Sequence, residues 1–310
     1  MGKIKPLSDD IRLMLVITSD NHIDVKNAGG LYPMMQTRLS LKDSAASAVP
    51  ADAYITVGDT TSRGSSVNWT LTELAFRGVS PAKNIYLTVG NHDLWNDDGF
   101  DAAFSNYIEY SNRICGTEHD KTYFSHVVNG YRLIFLGNMS AAGCEAHLGG
   151  EQLEWLSAEL DLADNKPAFV FCHQSLNGRH GLPMTWDRSG KSTDPMKGGI
   201  GEESDMVAAI LKAHRNVFYF SGHSHMGLGG ELCLKNEGYC SIYEEEGVTL
   251  INLPSLANGN HHGEDRSQGV GVVVEAYDDM IALRPRNFAK RKWNTKVDMQ
   301  DGRGYYTKNC

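Results

Sequence analysis

The chain has 310 residues, of which 41% are hydrophobic and 22% charged, which suits one large α/β domain or two small ones. This hydrophobic share is enough for a sizeable core. Against 29 basic residues stand 38 acidic ones, and the net charge of −9 excludes a global basic surface for nucleic acid. An anionic substrate stays open, because bound divalent cations can reverse the potential locally.

Short apolar runs rich in Val, Ile, Phe and Tyr predict buried strands. In chain order, they span 13–18, 54–57, 85–89, 133–136, 169–171, 217–220, 248–253 and 270–276. Helical patterns lie between several of them, at 67–76, 101–113, 151–162 and 205–213. The alternation predicts an α/β core, and the short connections after residue 217 indicate a mixed sheet or a second, partly antiparallel one.

Two long stretches, 23–36 and 174–201, show no regular pattern, and we expect both to overhang the strand ends. The second contains Arg179, His180 and Arg188, which are candidates for binding a phosphate or its substituent, although a solvated loop explains them equally. After Leu283 the sequence becomes basic and polar. We therefore predict a main domain over 1–283 and a solvated basic extension over 284–310.

The first apolar stretch is only strand length, which is too short for the apolar region of a signal peptide. No run approaches the roughly 18 residues of a membrane span, so the sequence favours a cytoplasmic location. The six cysteines form no CxxC pair, and we expect them to be reduced. Cys233 and Cys240 flank a plausible hairpin turn, so these two could lie close together.

Five short segments carry the side chains that a paired metal site needs. They are Asp20-Asn21-His22, Gly58-Asp59, Gly90-Asn91-His92-Asp93, Cys172-His173 and Gly222-His223-Ser224-His225. Nearly all of these side chains stand at or just after the end of an apolar run. Because strand ends in an α/β protein converge on one rim, we expect the segments to meet there.

The mixture of carboxylate, imidazole and amide oxygen suits Mn, Fe, Zn, Co or Ni rather than Mg or Ca. A carboxylate such as Asp59 can bridge two ions roughly 3.5–4 Å apart, a geometry used in phosphate ester hydrolysis. Taken singly, each residue has an ordinary reading: Asp20 as a strand-end cap, Asn91 as a turn residue, His173 as a buried hydrogen-bonded histidine. Together they predict a dinuclear metal site.

In this order, the segments resemble the motifs of the calcineurin-like metallophosphoesterase superfamily, from Asp20 to His225. The resemblance implies an α/β fold, a sandwich of two mixed β-sheets flanked by helices, with the dinuclear metal site at the strand ends. It also implies two transition-metal ions, for which Mn, Fe and Zn are the leading candidates.

The resemblance assigns a role to each motif residue. One metal would be held by Asp20, His22 and His225, the second by Asn91, His173 and His223, and Asp59 would bridge them. A hydroxide bridging the metals would attack phosphorus. His92 would protonate the leaving oxygen or stabilise the transition state, and Asp93 would orient His92.

The same motifs bear on the substrate. Phosphoprotein phosphatases of the superfamily read GDxxDRG and GNHE, whereas here Ser62 replaces the aspartate that steadies the catalytic histidine and Asp93 replaces the glutamate. The set is more similar to the bacterial branch that includes phosphodiesterases. We therefore predict a phosphodiesterase acting on a small phosphoester, with a phosphomonoesterase or protein phosphatase as the alternative. A non-catalytic scaffold of the same fold is disfavoured by the intact motifs, and the oligomeric state is left open.

Overall fold

The structure is a computed structural model that describes residues 2–25, 31–140, 143–164, 166–180, 198–229, 239–261 and 263–310. The strands within this part of the chain are β1 (Leu13–Thr18), β2 (Ala53–Val57), β3 (Asn84–Thr88), β4 (Phe124–Val128), β5 (Tyr131–Phe135), β6 (Ala168–Phe171), β7 (Val217–Ser221), β8 (Ile242–Glu245), β9 (Val248–Asn252), β10 (Val270–Ala276), β11 (Met280–Asn287), β12 (Lys292–Trp293) and β13 (Tyr306–Asn309). The helices are α1 (Leu31–Ala45), α2 (Ser66–Phe76), α3 (Phe100–Cys115), α4 (Gly150–Asp161) and α5 (Ser204–Lys212).

The strands form two sheets, and both are mixed. The first has the order β12-β11-β10-β1-β2-β3, with β13 also paired to β11; β1, β2 and β3 run parallel, while β10 is antiparallel to β1. The second has the order β4-β5-β6-β7-β9-β8, with β5, β6, β7 and β9 parallel and both edge strands antiparallel. The predicted sandwich of two mixed β-sheets is confirmed.

The strands are apolar on both faces because both faces are covered. On β1, Leu15 and Ile17 point into the core between the sheets, whereas Met14 and Val16 join an outer cluster together with Trp69 of α2 and Tyr107 of α3. A third apolar cluster packs the outer face of the second sheet against α4 and α5. Three apolar layers therefore hold the strands rigidly beneath their end loops.

The structure adds elements that the sequence patterns did not predict. Helix α1 begins at Leu31, inside the predicted irregular stretch, and its buried side chains are mostly polar: Gln36, Thr37, Ser40, Leu41, Asp43 and Ser44. A helix with such a buried face leaves no apolar periodicity to detect. Strands β4 and β5 are joined by Asn129-Gly130, both with positive φ, which is a hairpin signal that could have located β4.

The segment after Leu283 differs from the solvated extension that its basic residues suggest. Residue 284 falls within β11, and β12 and β13 pair with that same strand. The Arg286 side chain is fully buried and donates two hydrogen bonds to Asp43 of α1, at 2.7 and 2.9 Å. Arg286 therefore serves as a core ion-pair partner, since a buried guanidinium requires a carboxylate.

Other sequence predictions concern location and cysteines. Among the described residues, no helix is both long and apolar enough to cross a membrane. Cys240 is disulfide-bonded, so the expectation of reduced cysteines is wrong at this position. Cys233 lies outside the described residues.

The buried Asp43–Arg286 pair generates a stability prediction. We expect Asp43→Ala to lower the free energy of unfolding by about 3–5 kcal/mol, because the Arg286 charge stays buried without its carboxylate. Urea denaturation followed by circular dichroism measures the change. The matched control is Asp278→Ala, which removes the partner of Arg12 in a fully exposed pair and should leave stability unchanged. Equal effects from the two variants would contradict this account.

Candidate metal centre

The five motif segments follow parallel strands and lie at one rim of the sandwich. Asp20 and His22 come after β1, Asp59 after β2, and Asn91 and His92 after β3, all in the first sheet. His173 follows β6, and His223 and His225 follow β7, in the second sheet. Each sheet therefore contributes one side of the site, as parallel strands sharing one direction require.

The ligand-type atoms of the two sides approach within contact distance. Asp59 Oδ2 lies 3.1 Å from His173 Nε2 and 3.6 Å from His22 Nε2. Asp20 Oδ1 lies 3.1 Å from His225 Nε2, and the Nε2 atoms of His22 and His225 are 3.0 Å apart. Three groups of residues each place their ligand atoms within 4.8 Å of one another: Asp20, His22 and His225; Asp59, His173 and His223; and His22, Asp59 and His92.

The backbone at the rim adopts the left-handed conformation at five of these positions. Asp20, His22, Asp59, His223 and His225 have φ between 48° and 64°. Such φ values are uncommon outside glycine and carry a cost of order 1–3 kcal/mol each, so they persist where surrounding structure enforces them. The left-handed turns aim alternate side chains of each short loop into the same space.

Glycines allow the loops to approach this closely. A Cβ on Gly222 would lie 1.8 Å from Ser19 Oγ and 2.6 Å from Asp20 Oδ2, and a Cβ on Gly90 would lie 2.2 Å from Asp59 Oδ1. Both contacts are far shorter than van der Waals separation. Gly90 and Gly222, which precede Asn91 and His223, are therefore packing requirements of the cluster.

The charges of the cluster stabilise one another in a buried setting. Burial opposes the negative charge of Asp20, but His225 and His173 outweigh it and hold the pKa of Asp20 well below its usual range. Burial would likewise lower the pKa of His173, yet the carboxylates of Asp59 and Asp20 raise it to about 9. Burial and the nearby His173 lower the pKa of His223 to about 3, which keeps that imidazole neutral.

Several buried atoms at the rim have no hydrogen-bond partner, namely Asp20 Oδ1, Asn91 Oδ1 and His173 Nε2. Their neighbouring atoms are committed: Asp20 Oδ2 accepts from Ser19 Oγ and from the His223 backbone N–H, and His173 Nδ1 donates to the Val57 carbonyl at 2.9 Å. Buried polar atoms left without partners are costly and point to a missing ligand. A carboxylate oxygen, an amide oxygen and an imidazole nitrogen are donor types that suit transition-metal ions.

Comparisons with known proteins identify the family. The profile of the calcineurin-like phosphoesterases matches residues 13–227, more than two thirds of the chain. The chain belongs to the calcineurin-like phosphoesterase family. This confirms the resemblance that the five motifs indicate, and the domain is a metallophosphoesterase, a hydrolase of phosphoester bonds. A comparison with curated protein sequences finds no match.

Solved structures agree with the fold. The purple acid phosphatase PPD1 from yellow lupin (Lupinus luteus) seeds superposes with a TM-score of 0.60 at 13% identity, over 95% of this chain and 53% of that chain. The structure of PhoD superposes with a TM-score of 0.53 at 10% identity, over 88% of this chain and 65% of that chain. The chain thus spans about half to two thirds of the length of these two proteins. At such identities, the likeness concerns the fold alone.

Within this phosphoesterase domain, hydrogen bonds hold the His92 ring and the Asp93 carboxylate in place. His92 Nδ1 lies 2.9 Å from the carbonyl of Ser62, and a carbonyl can only accept, so Nδ1 carries a proton. The Asp93 carboxylate instead accepts from the backbone N–H groups of Thr60, Thr61 and Gly90. Asp93 thus ties the second and third motif loops together, and its expected role in orienting His92 stays a prediction.

Ser62 was not recognised as a functional position because it contributes its backbone carbonyl, whereas sequence patterns indicate the chemistry of side chains. It stands where phosphoprotein phosphatases have the aspartate that steadies the histidine, and its backbone carbonyl makes the corresponding contact. Burial and the neighbouring Asp59 raise the pKa of Asp93 to about 6. Backbone donors around Asp93 oppose this rise.

The predicted substrate residues are tied elsewhere in the described part of the loop. Arg179 pairs with Glu245 of β8 at 2.8 Å and also donates to the Asn177 carbonyl. The His180 ring is buried, with Nδ1 3.2 Å from the Cys240 carbonyl, and burial lowers its pKa to about 4. These contacts fasten the loop to β8 and do not direct either side chain at the cluster. Arg188 lies outside the described residues.

Residues at the end of β9 and just after it form hydrogen bonds with the loops of the metal centre. Ser255 Oγ donates to the Asp20 carbonyl at 3.1 Å, and Ser224 Oγ, between the two histidines, donates to Asn252 at 2.8 Å. Both Asn252 and Ser255 lie beyond residue 227, where the family profile match ends. The end of β9 and the loop that follows it therefore help to fix the rim.

The close approach at Gly222 gives a second prediction. We expect Gly222→Ala to displace Asp20 or Ser19 and to lower the metal content of the purified protein several-fold, because the added methyl overlaps both side chains. Metal content is measured by inductively coupled plasma mass spectrometry. Gly259→Ala is the matched control, since a Cβ there meets nothing within 4 Å. Full metal content in the Gly222→Ala protein would refute the packing requirement.

Proposed function

We propose that this chain is a dinuclear metal-dependent hydrolase of small phosphoesters, and that phosphodiesters are its preferred substrates. The observation that carries the proposal is the position of Asp59, whose Oδ2 faces imidazoles from both sides of the rim, His22 and His173. A carboxylate placed between two groups of ligands is what a bridged pair of metal ions needs.

The proposed ligands form two groups, one for each metal ion. Asp20, His22 and His225 would hold one ion, and Asn91, His173 and His223 the other, with Asp59 shared. Mn, Fe and Zn are the proposed metals, because imidazoles outnumber carboxylates in this set. When bound, the two ions would act as Lewis acids on the phosphoester and lower the pKa of a water molecule.

His92 is proposed as the residue that handles the proton of the leaving group. Its Nδ1–H is held by the Ser62 carbonyl, which fixes the ring and directs proton exchange to Nε2. The backbone N–H of His92 donates to Asp59 Oδ1 at 2.9 Å, and this hydrogen bond holds the His92 backbone next to the cluster. From there, His92 would donate to the leaving oxygen or stabilise the charge that develops on it.

The preference for diesters rests on the motif differences at Ser62 and Asp93, which separate this chain from the protein phosphatase pattern. A phosphomonoesterase or protein phosphatase is the second candidate, and the family supports it as well. A panel containing bis-p-nitrophenyl phosphate, p-nitrophenyl phosphate and a phosphopeptide separates the candidates. A cytoplasmic location stays a prediction.

The proposal predicts metal dependence. Protein purified without chelators should contain about two transition-metal ions per chain and should hydrolyse bis-p-nitrophenyl phosphate. Treatment with EDTA should abolish hydrolysis, and addition of Mn²⁺ should restore it. Metal analysis and absorbance at the p-nitrophenolate band provide the measurements. Metal-free protein that gains no activity with Mn²⁺ would favour the non-catalytic scaffold.

A separate prediction concerns His92. We expect His92→Ala to retain both metals, while kcat falls by about 10²–10⁴, because a proton-transfer group is lost but no ligand is. KM should change far less than kcat. His214→Ala, whose imidazole pairs with Asp161 away from the rim, is the control and should behave like the parent protein. Loss of one metal in the His92→Ala protein would mean that His92 is a ligand.

A further inference from the structure

A cavity of about 430 Å³ opens directly beside the candidate metal centre. Asn91 and His92 of the metal centre are among the residues that line it. Its other described lining residues are Leu94, Trp95, Asn96, Phe100, Asn138, Ser140, Gly143 and Cys144. The volume falls in the range of small-molecule sites, and the aromatic and aliphatic side chains lie next to the proposed proton donor.

Trp95 is the principal exposed aromatic surface of this cavity, with 54% of the residue accessible. Its position is fixed by three contacts. The Trp95 backbone N–H donates to the His92 carbonyl at 3.2 Å, and the Trp95 backbone carbonyl accepts from the Gly64 N–H at 2.9 Å. The Arg63 guanidinium lies 4.8 Å from the centroid of the indole ring. The indole therefore offers, beside the His92 ring at 5.5 Å between ring centroids, an apolar surface that the organic group of a ligand can cover.

Two carboxamides of the cavity wall, those of Asn96 and Asn138, are already committed to the protein. Asn138 donates to the Glu145 carbonyl at 3.1 Å and accepts from the N–H groups of Ser140 and His147. Asn96 accepts from the Asp98 N–H and donates to the Gly64 carbonyl at 3.4 Å. A ligand in this cavity therefore meets apolar surface from Trp95, Leu94 and Phe100, and few hydrogen-bonding groups need a partner from it.

We propose that this cavity binds a flat, apolar organic group of the phosphoester, and thus that the enzyme prefers aryl phosphoesters to alkyl ones. The inference rests on the proposed function, because the phosphoryl group must sit at the metal centre for its substituent to reach Trp95. An aromatic ring gains from burial and from stacking on the indole, whereas a methyl group is too small to cover it.

Two phosphonates test the proposal without the complication of leaving-group reactivity. Phenylphosphonate and methylphosphonate present the same anion and differ in the organic group. We expect isothermal titration calorimetry on the Mn²⁺-loaded full-length chain to give a Kd about tenfold lower for phenylphosphonate. Tenfold corresponds to about 1.4 kcal/mol. Equal Kd values for the two ligands, or no binding of either, would overturn the proposal.

Variants locate the effect. Trp95→Ala should reduce the tenfold ratio to about threefold or less and leave the Kd of methylphosphonate unchanged, while Trp95→Phe should keep most of it. Ser140→Phe, which narrows the cavity and leaves Trp95 and His92 intact, should weaken phenylphosphonate alone. Trp155→Ala is the matched control and should keep the ratio, because it removes a tryptophan of α4 that packs against Tyr123. A ratio unchanged in both Trp95→Ala and Ser140→Phe would contradict the assignment.

The outcomes also separate the inference from the proposed function. Two metals and hydrolysis of bis-p-nitrophenyl phosphate with equal phosphonate affinities would refute the aryl pocket alone. Absence of bound metals and of hydrolysis, with phenylphosphonate still preferred in a Trp95-dependent way, would refute the proposed chemistry and retain the pocket. Should the Trp95→Ala chain fail to fold, Trp95→Phe and Ser140→Phe decide between the two results.

Discussion

The burial of two carboxylates, Asp20 and Asp59, around the same imidazoles is the constraint on which the rest of the structure depends. Both are essentially inaccessible, and each faces imidazoles contributed by the opposite sheet. Buried like charges repel each other and lose their hydration, so such an arrangement needs compensating positive charge. The imidazoles supply part of it, and the unpartnered Asp20 Oδ1 shows where more is required.

The cost of this arrangement is borne by the apolar layers beneath it. Left-handed backbone at five positions and the tight contacts at Gly90 and Gly222 would relax if the loops could separate. They follow fully buried strands, among them β1, β2 and β7, whose side chains fill the core on both faces. The Asp93 carboxylate adds a direct tie between the loops after β2 and β3. A rigid base thus sustains a strained rim, which is how preorganised sites are generally held.

The resemblance to the family predicted the sandwich. The meeting of the motif segments followed from the residues themselves, because strand ends in an α/β fold share one rim and apolar runs mark where strands end. The sequence did not predict the features that depend on buried polar side chains or on backbone groups. Helix α1 buries Thr37 and Asp43, Arg286 reads as solvated without knowledge of Asp43, and Ser62 acts through its carbonyl. The partners of Asp93 were hidden for a related reason: neighbours in a tight turn direct their side chains to different groups, so adjacency to His92 does not reveal them.

The position of Trp95 links the chemistry to the choice of substrate. Only three residues separate Asn91 from Trp95, and a single turn, in which Leu94 N–H and Trp95 N–H donate to the Asn91 and His92 carbonyls, carries all of them. The same turn is tied through Asp93 to the loop that bears Asp59. Any shift that moves Trp95 therefore also moves His92 and Asn91. In such an arrangement, recognition of the organic group and alignment of the phosphoryl group are parts of one rigid unit, so binding energy gained at Trp95 can be used to position the reacting bond.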